Sequence, residues 1–176
     1  MDLFDAIANR YSYRGKFTDS PVLRKDLETI VAAGVHAPSA CNEQVATFVI
    51  VDDKTLLRQI AEIIPKPVCQ SAQAMIACVA DPRAVYAGIS FAGEDCAAAV
   101  QNMLLAITAL GYASVWLDGA LRAENRAARI GELLGVPAGK TIRILLPIGV
   151  SAEPGRPREK LPFDRRAWFN RYGDKS

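Results

Sequence analysis

The sequence predicts one domain in which helices alternate with the strands of a buried sheet. Three observations carry this. The chain has 176 residues, 51% of them hydrophobic, enough for one substantial core. Runs rich in β-branched and apolar residues recur between segments whose apolar residues follow helical spacing. No low-complexity tract or internal repeat divides the chain.

The elements follow in order. Leu3, Phe4 and Ile7 predict a short helix ending near Arg10. After Ser20-Pro21, the face formed by Leu23, Leu27, Ile30 and Val31 predicts a second helix, stopping between Gly34 and Pro38. The run from Thr47 to Val51, bounded by Asp52-Asp53, predicts a strand buried on both faces. Asp53 then caps a helix carrying Leu56, Leu57, Ile60 and Ile63. Ala74 to Val79, ended by Asp81-Pro82, predicts a second buried strand. Glu94 or Asp95 opens the longest helix, which runs through Leu110 and closes at Gly111. Its Ala97, Ala98, Ala99, Ala106 and Ala109 predict close packing against a neighbour or a symmetry mate. Tyr112 to Leu117 predicts a third strand, Glu124 to Leu134 a helix ended by Gly135, and Thr141 to Val150 a fourth strand with Arg143 facing outward. From Ser151 the chain turns to Pro, Arg, Lys and aromatic residues, among them Phe163, Trp168, Phe169 and Tyr172. Such a tail has aromatics to bury and no core of its own, so residues 151–176 are expected to wrap a partner surface while residues 1–150 form the body.

Composition excludes several function classes. Twenty-one Lys and Arg against nineteen Asp and Glu leave a net charge of +2, spread along the chain, which argues against a dedicated nucleic-acid binder. No apolar stretch approaches the ~20 residues of a membrane span. The acidic Met1-Asp2-Leu3-Phe4-Asp5 lacks the basic start of a signal peptide, and the cytoplasm is the expected location. Four cysteines without a C-x-x-C pair and a single histidine, His36, make a zinc site unexpected. Cys78 and Cys96 sit in apolar segments and are expected to be buried thiols. Cys41, in a polar loop without a nearby base, is a poor nucleophile.

Four segments carry chemistry, and one imitates it. Gly135-Val-Pro-Ala-Gly139-Lys140-Thr141 looks like a phosphate loop, but three residues rather than four separate its glycines and it leads from helix to strand. It is a turn. No G-x-G-x-x-G follows a strand either. Arg10-Tyr11-Ser12-Tyr13-Arg14 offers two guanidinium forks and a hydroxyl to a phosphate or a polar ring edge, although alone it better describes a solvated helix end with ordinary surface arginines. In Ala37-Pro38-Ser39-Ala40-Cys41-Asn42-Glu43-Gln44, the Asn42 and Gln44 amides present donors and acceptors together, as recognition of a planar heterocycle requires; an ordinary capping turn has the same composition. Pro147-Ile148-Gly149 ends a strand, and Gly155-Arg-Pro-Arg158-Glu-Lys160 supplies a basic cluster after a glycine.

Order and spacing together are specific, and the chain resembles the nitroreductase family of FMN-dependent oxidoreductases. Residues 10–14 resemble that family's R-x-S-x-R/K motif and residues 37–44 its A-P-S-x-x-N-x-Q motif. Asp95 to Ala106 with Leu110-Gly111 resembles its central helix, and Pro147-Ile-Gly149 with Arg158 its closing segment. The resemblance implies an α+β fold, a mixed, mainly antiparallel sheet flanked by helices, in an intertwined homodimer with two FMN sites at the interface. It implies Arg10, Tyr11, Ser12 and Arg14 as cofactor contacts along the phosphate, ribityl chain and pyrimidine edge. Pro38, Ser39, Asn42 and Gln44 would come from the other subunit, Arg158 and Lys160 would complete the phosphate contacts, and the backbone from Leu117 to Gly119 would line the ring system. Two departures stand out: Val45-Ala46 follows Gln44 where the family has Pro-Trp, and Tyr11 stands where a basic residue is common.

The implied activity is hydride transfer from NADH or NADPH through the flavin to a small electron-poor oxidant such as a nitroaromatic or quinone. Flavin N5 would carry the hydride, so no protein residue is catalytic and no metal is needed; Arg14 is the expected cation beside the reduced flavin. The alternatives are a relative with other flavin chemistry, dehalogenation or flavin destruction, and a non-catalytic flavin-binding protein.

Overall fold

Strand β2 (Ala74–Ala80) is the axis of the molecule, with every residue buried. It pairs antiparallel with β1 (Ala46–Val51) on one side and β4 (Thr141–Gly149) on the other, and β3 (Ala113–Ser114) pairs antiparallel with β4, giving the sheet order β1-β2-β4-β3. This computed structural model describes residues 1–174; residues 175–176, the end of the expected C-terminal extension, lie outside the described residues. Among the described residues no helix is long and apolar enough to cross a membrane.

Alternation along β2 builds two cores. Met75, Ala77 and Val79 point to one face, where α3 (Lys54–Ile63), α4 (Pro67–Gln70) and α6 (Arg126–Leu133) cover them together with Tyr13 and Phe17. Ala74, Ile76, Cys78 and Ala80 point to the other, against α2 (Arg24–Val35) and α5 (Ala92–Ala109). The result is a helix–sheet–helix sandwich with an antiparallel sheet, an α+β fold. The small residues of α5 and α2 serve close packing: a Cβ on Gly34 would fall 2.2 Å from the Met103 methyl carbon. Cys78 and Cys96 are both fully buried in this second core.

Several elements differ from the sequence expectation. β1 is an edge strand, not one buried on both faces: it pairs only with β2, and Thr47 and Ile50 are exposed. The third strand shrinks to Ala113–Ser114, because Tyr112 is drawn toward α2, where its hydroxyl donates to Asp26 Oδ2 at 2.8 Å. Leu117 rejoins the sheet alone, exchanging main-chain bonds with Leu145 at 3.1 and 2.9 Å. α6 starts at Arg126 rather than Glu124, since Glu124 and Asn125 are left-handed (φ 53° and 56°). α5 starts at Ala92, before the acidic pair.

Other expectations hold in detail. Asp53 Oδ1 accepts the Thr55 and Leu56 N–H groups, each at 2.9 Å, capping α3. α1 (Leu3–Asn9) ends with Arg10 as its C-cap. The false phosphate loop is a turn with Gly135 and Gly139 at positive φ. The apolar face of α1 has no cover, with Leu3, Phe4 and Ile7 exposed, and the tail likewise exposes Leu161, Phe163, Phe169 and Tyr172.

Candidate functional site

The first half of the site is an extended strip at the C-terminal end of α1. Aromatic and polar residues alternate along it: Tyr11, Tyr13 and Phe17 turn toward the first core, while Ser12, Arg14 and Lys16 are exposed and Arg10 is half-buried. The strip is anchored on both sides by main-chain bonds. The Tyr13 N–H donates to the Ser114 carbonyl at 2.9 Å, the Thr18 N–H to the Val150 carbonyl at 2.8 Å, and the Ala152 N–H to the Lys16 carbonyl at 3.0 Å. The buried Tyr13 hydroxyl donates to the Lys16 carbonyl and accepts the Ala152 N–H at 3.2 Å. The strip therefore sits between β3 and the chain leaving β4, its polar residues outward and its rings in the core.

Among the described residues those outward cations have no acidic partner. Among the described residues Arg10, Arg14, Lys16, Arg156, Arg158 and Lys160 form no salt bridge, as is also true of scattered cations such as Lys25, Lys54, Arg58 and Arg129; what sets the first group apart is its grouping on the strip and the segment beside it. Arg14 Nη1 donates only to the Ser12 carbonyl, at 3.2 Å. Beneath the strip the Ser114 hydroxyl is buried without a hydrogen-bond partner. The cations outnumber the carboxylates Glu153 and Glu159 among them, and with the hydroxyls they form a complement to a phosphate or another oxyanion.

The second half is the loop that leads into β1. Cys41, Asn42 and Gln44 are left-handed, with φ of 51°, 57° and 51°. The Gln44 N–H donates to Ser39 Oγ at 3.1 Å, and the Gln44 amide nitrogen to the Asn42 carbonyl at 3.3 Å. Asp95, buried on α5, ties the loop to the body by accepting the Ala40 N–H at 3.0 Å on Oδ1. Arg83 adds a second tie through Glu43, at 2.8 Å to the carboxylate and 3.1 Å to the carbonyl. Pro38, Ser39 and Gln44 line a cavity of about 270 Å³ with Phe48, Asp95 and Ala99. Asn42 and Gln44 stand exposed on the loop. Within one chain this loop shares no hydrogen bond or ion pair with the Arg10–Lys16 strip among the described residues.

The nitroreductase family profile matches residues 7–77 and 71–150, which takes in the strip, the loop, α5 and β4. This chain belongs to the nitroreductase family. Two relatives bear the provisional name NADH dehydrogenase/NAD(P)H nitroreductase. One, from Archaeoglobus fulgidus, is 34% identical over 76% of this chain and 76% of its own length. The other, from Methanothermobacter thermautotrophicus, is 32% identical over 94% of this chain and 85% of its own length. Among solved structures, an FMN-dependent nitroreductase from Clostridium difficile superposes with a TM-score of 0.81 at 25% identity, covering 96% of this chain and 99% of the other.

The sites of this nitroreductase-family chain divide by what the fold does with them. Arg10, Ser12 and Arg14 lie together on the strip, and the Gly155 segment that leads to Arg158 and Lys160 lies against Tyr11. Pro38, Ser39, Asn42 and Gln44 form the separate loop. Leu117 is buried with its N–H and carbonyl both spent on Leu145, while Gly119 is exposed with open space around it. Between them Asp118 accepts from Arg122 at 2.8 and 2.9 Å and from Arg143 at 2.9 Å. The Arg122 hydrogen bond, against an opposing effect of burial and with help from Arg143, holds the Asp118 carboxyl below its ordinary value. Two features escape reading along the chain. The period-2 alternation at Tyr11, Tyr13 and Phe17 is present in the sequence as a signal of an extended strip, whereas the Asp95 tether joins residues 55 apart and leaves no local signal.

Proposed function

We propose that the Arg10–Lys16 strip holds FMN, and that the chain is an NAD(P)H-dependent flavin oxidoreductase acting on a small electron-poor acceptor such as a nitroaromatic or a quinone. The observation that carries this is the row of cations without ion-pair partners among the described residues, backed by rings that fix it to the core. The donor set fits FMN: guanidiniums for a phosphate monoester, hydroxyls for the ribityl chain, and amides on the loop for a heterocycle edge. The buried, unpartnered Ser114 hydroxyl beneath the strip supports the same fit.

Bound FMN supplies the hydride acceptance and donation. The chain's residues bind, orient and tune it. Arg10, with Arg158 and Lys160 from the tail, neutralises the phosphate; Ser12 offers its hydroxyl along the strip. Arg14 is assigned to the pyrimidine edge, where a cation favours the anionic reduced ring. The backbone from half-buried Asp118 to exposed Gly119 is the part of the Leu117–Gly119 stretch left to line the ring, because the Leu117 amide and carbonyl are already paired.

The working form is read as a homodimer, with Pro38, Ser39, Asn42 and Gln44 reaching the flavin of a second copy. Its support is the lack of any hydrogen bond or ion pair between loop and strip among the described residues of one chain, together with the uncovered face of α1 and the exposed tail aromatics. Residues 1–150 form the body and residues 151–176 the partner-embracing extension.

The test is a spectrum followed by turnover. The purified protein should show the absorption of oxidised flavin, bleach on addition of NADH or NADPH, and recover its colour with a nitroaromatic or quinone. Protein that neither carries nor takes up FMN overturns the reading. Flavin that binds but never bleaches makes the chain a flavin carrier rather than an oxidoreductase.

A further inference from the structure

Three glycines lie against the three rings of the strip, one to each ring. A Cβ on Gly15 would sit 2.8 Å from the Tyr13 hydroxyl oxygen, one on Gly149 2.6 Å from Phe17 Cγ, and one on Gly155 2.0 Å from Tyr11 Cε2. The first two rings are buried parts of the core, so their glycines serve packing. The third contact is different. Gly155 is exposed and Tyr11 only half-buried, so the core does not require their approach.

We infer that Gly155 and Tyr11 form a seat that holds the Arg156–Lys160 run beside Arg10 and Arg14, making Gly155 a positioning residue for the phosphate end of the flavin. The inference rests on the FMN reading above. After the Ala152 N–H bonds to Lys16 and Tyr13, residues 153–161 make no hydrogen bond or salt bridge among the described residues. Close contact with the Tyr11 ring is thus the contact available to fix this stretch where polar bonds do not. Fixing is needed because Arg10, Arg14, Lys16, Arg156, Arg158 and Lys160 outnumber Glu153 and Glu159 and repel one another when brought together without a bound phosphate. The ring cannot retreat easily: Tyr11 stands edge-on against Tyr13, with centroids 6.3 Å apart and planes at 81°, and Tyr13 is itself buried and hydrogen-bonded. Gly155 is not left-handed, so its backbone conformation would admit any residue and only the ring excludes a Cβ. The Tyr11 ring, expected from the resemblance to contact the cofactor, then acts as a platform for Gly155 and not as a ligand.

The experiment compares FMN with riboflavin, which lacks the phosphate, by fluorescence titration of the full-length apoprotein. Gly155→Ala should weaken FMN binding roughly tenfold or more, the scale of a lost hydrogen bond to a charged group. Riboflavin binding and the unfolding midpoint of the apoprotein should stay at wild-type values. Tyr11→Ala removes the seat by another route, so adding Gly155→Ala in that background should change FMN affinity by no more than about twofold. FMN affinity unaltered in Gly155→Ala, equal losses for both ligands, or losses that add in the double variant would each overturn the seat. A wild-type protein with no preference for FMN over riboflavin would instead overturn the phosphate assignment, and the seat with it.

Discussion

The strip and the loop supply the polar groups of one proposed site, yet the fold holds them by opposite means. Along the strip Tyr11, Tyr13 and Phe17 are anchors, Tyr13 and Phe17 are buried in the core, and no residue from Arg10 to Phe17 is left-handed. The loop concentrates three left-handed residues other than glycine within residues 41–44, a conformation costing about 1–3 kcal/mol each, and its ties to the body run through Asp95 and Arg83. Packing thus fixes the cationic half, while a few polar bonds hold a strained half in place. A loss of contact should be local in the first and should spread along the whole loop in the second.

The largest effect is expected where the strip meets the ligand. Arg10→Ala and Arg158→Ala should each weaken FMN binding by roughly 1.5–3 kcal/mol without lowering the unfolding midpoint of the apoprotein, because neither arginine has an ion-pair partner among the described residues to lose. Titration calorimetry checks the first half of that statement and thermal unfolding the second. Unchanged affinity in both variants would move the phosphate elsewhere on the surface.

A smaller effect, of a different kind, is expected from Asp95→Ala. It leaves the Ala40 N–H without its acceptor, at a cost of about 1–2 kcal/mol, reduced because the buried Asp95 Oδ2 already lacks a partner and is removed as well. Hydrogen exchange should quicken across residues 39–44 and stay at wild-type rates in the Tyr13 and Thr18 amides. Equal acceleration in both segments would mean that the two halves are one cooperative unit and that the contrast between them is false.

The sequence makes these two halves unequally legible. Strand β2 and the Asp53 cap of α3 are readable because their signals, a continuous apolar run and a side chain bonding two and three residues ahead, are local. The α+β sheet and the family follow from motifs whose order survives in the chain. Less is readable where a distant group decides the outcome. Tyr112 leaves the predicted third strand for Asp26, 86 residues away, and β1 lies at the sheet edge because of strand order, which its own composition does not encode. The strip lies between these cases: its alternation is written in Tyr11, Tyr13 and Phe17, but Gly15 breaks the pattern where an aromatic would have completed it.

The smallest effect tests the stretch that joins the strip's sheet to the exposed Gly119. Asp118 binds Arg122 and Arg143, and its carboxyl is held below its ordinary value of 3.8, first by the Arg122 hydrogen bond and then, against burial, by Arg143. A carboxyl depressed by folding adds stability that is complete above its unfolded value and is lost as pH falls through its folded value. Asp118→Asn should therefore be less stable than wild type at neutral pH, by a few tenths to about 1 kcal/mol as for other partly exposed ion pairs, and the gap should close below about pH 4. Urea unfolding from pH 7 down to pH 2.5 measures it. Because the Asp118–Gly119 backbone is placed along the flavin ring, FMN affinity of this variant at neutral pH measures separately whether that backbone depends on the ion pair. A gap that widens toward acid would mean that Asp118 is not the depressed group, and a drop in FMN affinity would mean that the Asp118–Gly119 backbone depends on this ion pair to reach the flavin.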